Sequence, residues 1–116
     1  MEKQYKEFYG YIICNNGTVY NKKGKKMKLE TVWNGYQRIG LQINGIRKRY
    51  KIAYLVAMLF IKNDDAEHKT IIHHCDRNKA NNDASNLMWM TPEAHRKLHA
   101  MFRRMDANRR KQKAEG

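Results

Sequence analysis

Four of the five histidines of this chain, His73, His74, His95 and His99, lie between positions 73 and 99, among Asp76, Asn78, Asn81, Asn82, Asp83 and Asn86. Imidazoles clustered with acid and amide side chains are the usual composition of a metal-dependent hydrolytic site. A neutral imidazole, with an ordinary pKa near about 6.5, can take a proton from water at cellular pH. A divalent ion can hold the oxygens of a reacting phosphate. The pair His73-His74 alone would carry no such implication. It gains one because the chain returns His95 and His99 to the same neighbourhood.

That return depends on the elements around the histidines. Thr70 to His73 has the look of a short strand, Asp76 to Ser85 of an Asn- and Asp-rich loop, and Leu87 to Met90 of a second strand. Thr91 as N-cap and Pro92 at the first helical position predict a helix from Pro92 to about Ala107. His99 is four residues beyond His95 on the same helix face, so a supporting role is expected for it. Adjacent strand residues point to opposite faces. His73 and His74 can therefore serve one site only where the strand ends or bends. Leu87, Trp89 and a small buried Cys75 are expected in the core, and His68 in solvent.

The first half is β-rich. Tyr11 to Cys14 and Thr18 to Tyr20 flank an Asn-Gly step, and Tyr36 to Ile43 and Ile46 to Ile52 flank Asn44-Gly45, the stronger hairpin signal. In the latter, Ile39, Leu41 and Ile43 alternate with polar or small residues. Ala53 to Ile61 reads as a short buried helix, although its composition also suits a buried strand. The expected fold class is α+β: a β-hairpin-rich module over residues 1–66 and a strand–loop–strand–helix module over 67–116.

Lys+Arg 24 against Asp+Glu 11 gives a net charge of +13 on 116 residues, which favours a polyanionic partner. Nucleic acid and an anionic membrane surface both qualify. The basic residues form two groups. Lys22, Lys23, Lys25, Arg47, Lys48 and Arg49 accompany the hairpins, and Arg96, Arg103 and Arg104 the last helix. Two groups flanking one histidine site fit phosphate contacts along a duplex. The longest apolar run, Ile52 to Ile61, is far short of the roughly 20 residues that span a bilayer. No apolar segment follows Met1 to Lys6, so no secretory signal is expected. Cys14 and Cys75 form no C-x-x-C knuckle, which argues against a cysteine-built zinc site and for free thiols in a reducing cytosol.

Residues Thr70 to His99 resemble the HNH (ββα-metal) endonucleases, especially those of phages and introns. The resemblance rests on His73-His74-Cys75-Asp76-Arg77-Asn78, Asn81-Asn82, Ser85-Asn86-Leu87, Trp89, Thr91-Pro92 and Glu93-Ala94-His95, with steps of 12 from His74 to Asn86 and 9 from Asn86 to His95. Phe8 to Ile61 also resembles the region that often precedes this motif in homing-type enzymes. The resemblance implies a phage-encoded nuclease acting on double-stranded DNA in the cytoplasm of a bacterial host cell. It implies His74 as general base, Asn86 as the residue that orients the base or steadies the loop, and His95 as a metal ligand. His73 falls where many relatives carry Asp as the other ligand. Asp76 joins His99 in a supporting role. One divalent ion is expected, Mg²⁺, Mn²⁺, Ni²⁺ or Zn²⁺, and the imidazole pair shifts the balance away from Mg²⁺. A second copy of the chain or a phage packaging protein are further expected partners. Two other readings stay open: a DNA-binding module without chemistry, and a domain in which His73, His95 and His99 hold a structural zinc ion.

Overall fold

A computed structural model describes residues 2–115, with side chains through residue 110. The chain begins with β1 (Tyr5–Phe8), β2 (Tyr11–Cys14) and β3 (Val19–Tyr20), an antiparallel sheet in that order. A second antiparallel sheet follows: β4 (Glu30–Thr31), β5 (Gln37–Ile43) and β6 (Ile46–Lys51). Helix α1 (Ile52–Phe60) leads to β7 (Ile71–His74), a short 3₁₀ turn at Ala84–Asn86, β8 (Leu87–Met90) and helix α2 (Pro92–Glu115). Among the described residues no helix is long and apolar enough to cross a membrane.

The β5–β6 hairpin forms where its turn chemistry places it. Asn44 (φ 52°) and Gly45 (φ 79°) both adopt the left-handed conformation that a two-residue hairpin loop requires. The register pairs Ile39 with Tyr50 and Leu41 with Lys48, so the face carrying Ile39 and Leu41 turns inward and both are buried. The opposite face carries Arg47, Arg49 and Lys51 at two-residue steps. Strands β1 and β4 escape sequence reading because they are short and polar. Each is held by pairing with a better-buried neighbour, β1 with β2 and β4 with β5.

Helix α1 is buried along Ile52, Ala53, Leu55, Val56 and Ala57, and its N-terminus lacks a side-chain cap. Tertiary burial, not capping, holds it. It packs against β2, β5, β6, β7 and β8. One hydrophobic cluster therefore joins Ile13, Val19, Ile39 and Leu41 to Ile52, Leu55, Val56 and Leu87. The amide of Ala84 also donates to the carbonyl of Asn15 at 2.8 Å, tying the first hairpin to the loop between β7 and β8.

Two sequence expectations need correction. Cys75 is exposed, because β7 ends at His74 and the chain turns outward there; Cys14 is the buried thiol. Helix α2 does not stop near Ala107 but continues to Glu115. Its C-terminal part is polar, so helix propensity and spaced charges carry it without an apolar face.

Candidate functional site

Strands β7 and β8 pair from Ile71↔Met90 to His74↔Leu87, and α2 crosses the β7 face that carries His73. Thr91 caps α2, its Oγ1 accepting from the amide of Ala94 at 3.1 Å. This fixes where the helix begins and so where His95 and His99 project. Ring centroids of His73 lie 5.6 Å from His95 and 6.1 Å from His99, and those of His95 and His99 are 4.2 Å apart. One nitrogen from each of the three lies within 4.8 Å of the others, close enough to hold a single ion. His99, expected only to support, thus stands with His73 and His95.

His73 is buried, and burial, followed by the proximity of His95, His99 and His74, holds its pKa below the ordinary 6.5. Burial and then His99 lower His95 in the same way. Both imidazoles are therefore neutral near pH 7, as metal ligation requires. Three nitrogen donors without a carboxylate suit a borderline ion such as Zn²⁺, Ni²⁺, Co²⁺ or Mn²⁺ better than Mg²⁺.

His74 occupies the last position of β7 and is buried. Its Nε2 lies 2.9 Å from Oδ1 of buried Asn82, whose Nδ2 donates to Gln37 Oε1 at 3.3 Å. With Asn82 Oδ1 as acceptor, the ring proton belongs on Nε2 and Nδ1 keeps its lone pair. The tension between adjacent residues on opposite faces is resolved by the strand end. His73 and His74 both line one cavity of about 200 Å³, together with Tyr36, Arg77, His95, His99 and Phe102.

Asn86 makes no hydrogen bond to His74. Its Oδ1 accepts from the amide of Asp76 at 3.0 Å, and its Nδ2 donates to Asp76 Oδ1 and to the carbonyl of Asn81, each at 2.9 Å. Asn86 thus braces the loop rather than the imidazole. The Asp76 carboxylate also accepts from the amide of Asn78 and from Asn81 Nδ2. These bonds, that from the Asn81 side chain above all, hold it below its ordinary pKa of 3.8. Asp76 is a loop organiser and is not among the side chains converging on the metal position.

The basic residues divide. Arg103 lines the histidine cavity, while Arg96 and Arg104 are exposed on α2. Arg47 and Arg49 stand on the outer face of β6, and Lys51 at its end lies 4.8 Å above the ring of Tyr36, whose centroid is 6.0 Å from that of His74. Lys48 is on the other face, with its ammonium over Tyr50. Lys22 and Lys23 border a separate depression with Tyr11 and Gln42, and Lys25 closes the turn begun by Asn21. None of these three lines the histidine cavity. Asn82 and Tyr36 escaped the sequence reading. Asn82 was visible only as one amide among several, and Tyr36 as one aromatic in a strand.

A two-stranded ribbon, an amide-braced loop and a crossing helix that together converge imidazoles define an HNH endonuclease module, and residues 65–97 match the HNH endonuclease family model. The chain is similar to the DNA endonuclease I-HmuI of Bacillus phage SP01, 39% identical over 82 residues, which cover 70% of this chain and 46% of that protein. It is 33% identical over 94 residues to the uncharacterized HNH endonuclease L245 of Acanthamoeba polyphaga mimivirus, covering 80% of this chain and 28% of the relative. A solved structure titled "DNA binding and cleavage by the HNH homing endonuclease I-HmuI" superposes with a TM-score of 0.75 at 33% identity, covering 87% of this chain and 59% of that one. The chain spans about half or less of the length of these curated relatives.

Proposed function

We propose that this chain is a metal-dependent endonuclease that hydrolyses phosphodiester bonds of double-stranded DNA, with His74 as general base. The observation that carries this reading is the shared cavity. His74, locked by Asn82, opens onto the space where His73, His95 and His99 converge. A divalent ion bound there supplies positive charge to the phosphate and its leaving oxygen. His73, His95 and His99 would hold it, with the pKa values of His73 and His95 lowered by burial and by neighbouring imidazoles. His74 Nδ1 takes a proton from a water molecule as its oxygen bonds to phosphorus. The bond from phosphorus to the 3′ oxygen breaks, and that oxygen takes a proton from solvent water, leaving a 5′ phosphate and a 3′ hydroxyl. Asn82 keeps the ring oriented and stabilises the imidazolium by accepting from Nε2. Arg47, Arg49, Lys51 and Arg103 hold the flanking phosphates.

One such site per chain cuts one strand at a time, so a double-strand break requires a second copy or a second visit. A phage packaging protein is a further partner that this chemistry allows, and the likeness to a phage endonuclease supports a setting in the cytoplasm of an infected bacterium. The converging imidazoles also favour a second reading, a structural ion without catalysis. Incubation with supercoiled plasmid and Mn²⁺, with and without EDTA, separates the two. Nicking that EDTA abolishes supports the nuclease. A metal-raised melting temperature with no nicking in any divalent ion supports the structural ion and rejects the nuclease.

A further inference from the structure

Arg77 occupies an unusual backbone position for its type. Its φ is +63°, in the left-handed region that five glycines among the described residues also use and that side-chain-bearing residues other than Asn and Asp seldom adopt. The turn is closed by the amide of Arg77 donating to the carbonyl of His74 at 3.0 Å, so the strain is stored three residues from the proposed base. Strain of this kind persists where the surrounding structure holds it, and it clusters at functional sites.

The guanidinium packs against α2. Its central carbon lies 3.9 Å from the centroid of the Phe102 ring, which itself stacks near-parallel to His73 at 6.3 Å. Nη1 alone reaches Asp106, at 3.1 Å from one carboxylate oxygen and 3.5 Å from the other. The remaining N–H groups of Arg77 have no protein partner among the described residues. Both side chains of the pair are about two-fifths exposed, so the pair is weak and screened by salt. Asp106 is the only carboxylate among the residues lining the cavity. A lone acid in a site for a polyanion opposes the substrate unless it has another role.

We infer that Arg77 is a phosphate-contacting residue and that Asp106 is its placeholder: the carboxylate holds the guanidinium against Phe102 in the free protein and yields it to a DNA phosphate on binding. The inference rests on the reading of the chain as a DNA-cutting enzyme. An arginine fork donates two parallel hydrogen bonds to phosphate, whereas a single nitrogen serves Asp106 here, so the exchange gains donors. Phe102 keeps the guanidinium plane at the cavity wall throughout. Asp106 is four residues beyond Phe102, hence on the same helix face, which lets both grip one arginine.

The test is a double-mutant cycle read by duplex binding in EDTA, which needs no catalysis. Asp106→Asn is expected to tighten binding by about threefold at low salt, and Arg77→Gly to weaken it by about tenfold. On the Arg77→Gly background, Asp106→Asn should add little. Arg77→Asn, whose residue type tolerates positive φ, replaces Arg77→Gly if the latter folds poorly. A merely structural staple would make both single variants lower the melting temperature and weaken binding together. That result, or an Asp106→Asn gain of the same size with and without Arg77, overturns the proposal. Failure of the wild type to nick in any divalent ion would sink the nuclease reading separately, since the binding cycle still reports on Arg77.

Discussion

At the scale of the residue, the site holds imidazoles in two different states of readiness. Burial first, then His95, His99 and His74 for His73 and His99 for His95, lower both pKa values, so the two imidazoles favour a cation over a proton. This has a consequence for stability without metal. The unfolded chain protonates these side chains near their ordinary value of 6.5, the folded chain only at lower pH. Between the two values the unfolded state binds more protons, so stability falls as pH drops below about 6.5 and is flat above it. Asp76 titrates below 3.8, outside this window. Thermal melts in EDTA from pH 8 to pH 5 should show the decline, and the double variant His73→Asn/His95→Gln should flatten it. A wild-type melting temperature constant over that range would contradict the assignment. The ligand set has a second consequence. Mn²⁺ or Ni²⁺ should support faster nicking than equal Mg²⁺, and His73→Asp should shift the order toward Mg²⁺ by restoring a hard oxygen ligand. Unchanged metal ranking in initial rates would remove His73 from the ligand set.

At the scale of the element, β7 and its loop present His74, and parts distant in sequence hold that loop. Gly17, in the first hairpin at φ +94°, passes so close that an added Cβ would meet Asn82 Cβ at 3.1 Å and Ile52 Cγ2 at 3.2 Å. Gly17→Ala is therefore expected to cost about 1–3 kcal/mol through backbone strain. It should also lower nicking at temperatures where the protein remains folded, because Asn82 is what orients His74. Chemical denaturation together with nicking rates would check this. Destabilisation with a fully preserved rate would show that the hairpin supports the fold but not the imidazole. Such cross-chain supports explain what the sequence left illegible. The Asn44-Gly45 hairpin, the Thr91-Pro92 helix start and the histidine spacing are local signals, and each could be read directly. The bonds from Asn82 to His74 and Gln37 span 8 and 45 residues and have no local signature. Cys75 reads as a small core residue in a list of types, yet the strand ends one position before it.

At the scale of the whole molecule, +13 of net charge is distributed so that part of it leads to the site. Arg47, Arg49 and Lys51 recur every second residue along β6, a step of about 6.8 Å, and the row ends beside Tyr36 and His74. With Arg77 and Arg103 this makes five cations on the proposed DNA path. Each phosphate neutralised adds about 0.9 to the log–log salt slope, so a slope of roughly −4.5 is expected for duplex binding. A slope near zero would show that charge is not the driver. The charge alone left a membrane surface open as a partner, and only its placement beside the histidines favours a duplex.

His74 as general base should act in the chemistry and not in binding, and a single comparison separates the two. Single-turnover nicking of plasmid DNA in Mn²⁺ is measured for wild type and His74→Ala, beside duplex affinity in EDTA for the same two proteins. The expected result is a loss of about 10²–10⁴-fold in rate with affinity essentially unchanged, the scale of a positioned general base. A rate that survives the substitution, or a rate and an affinity that fall together, would contradict the assignment of His74 as the base.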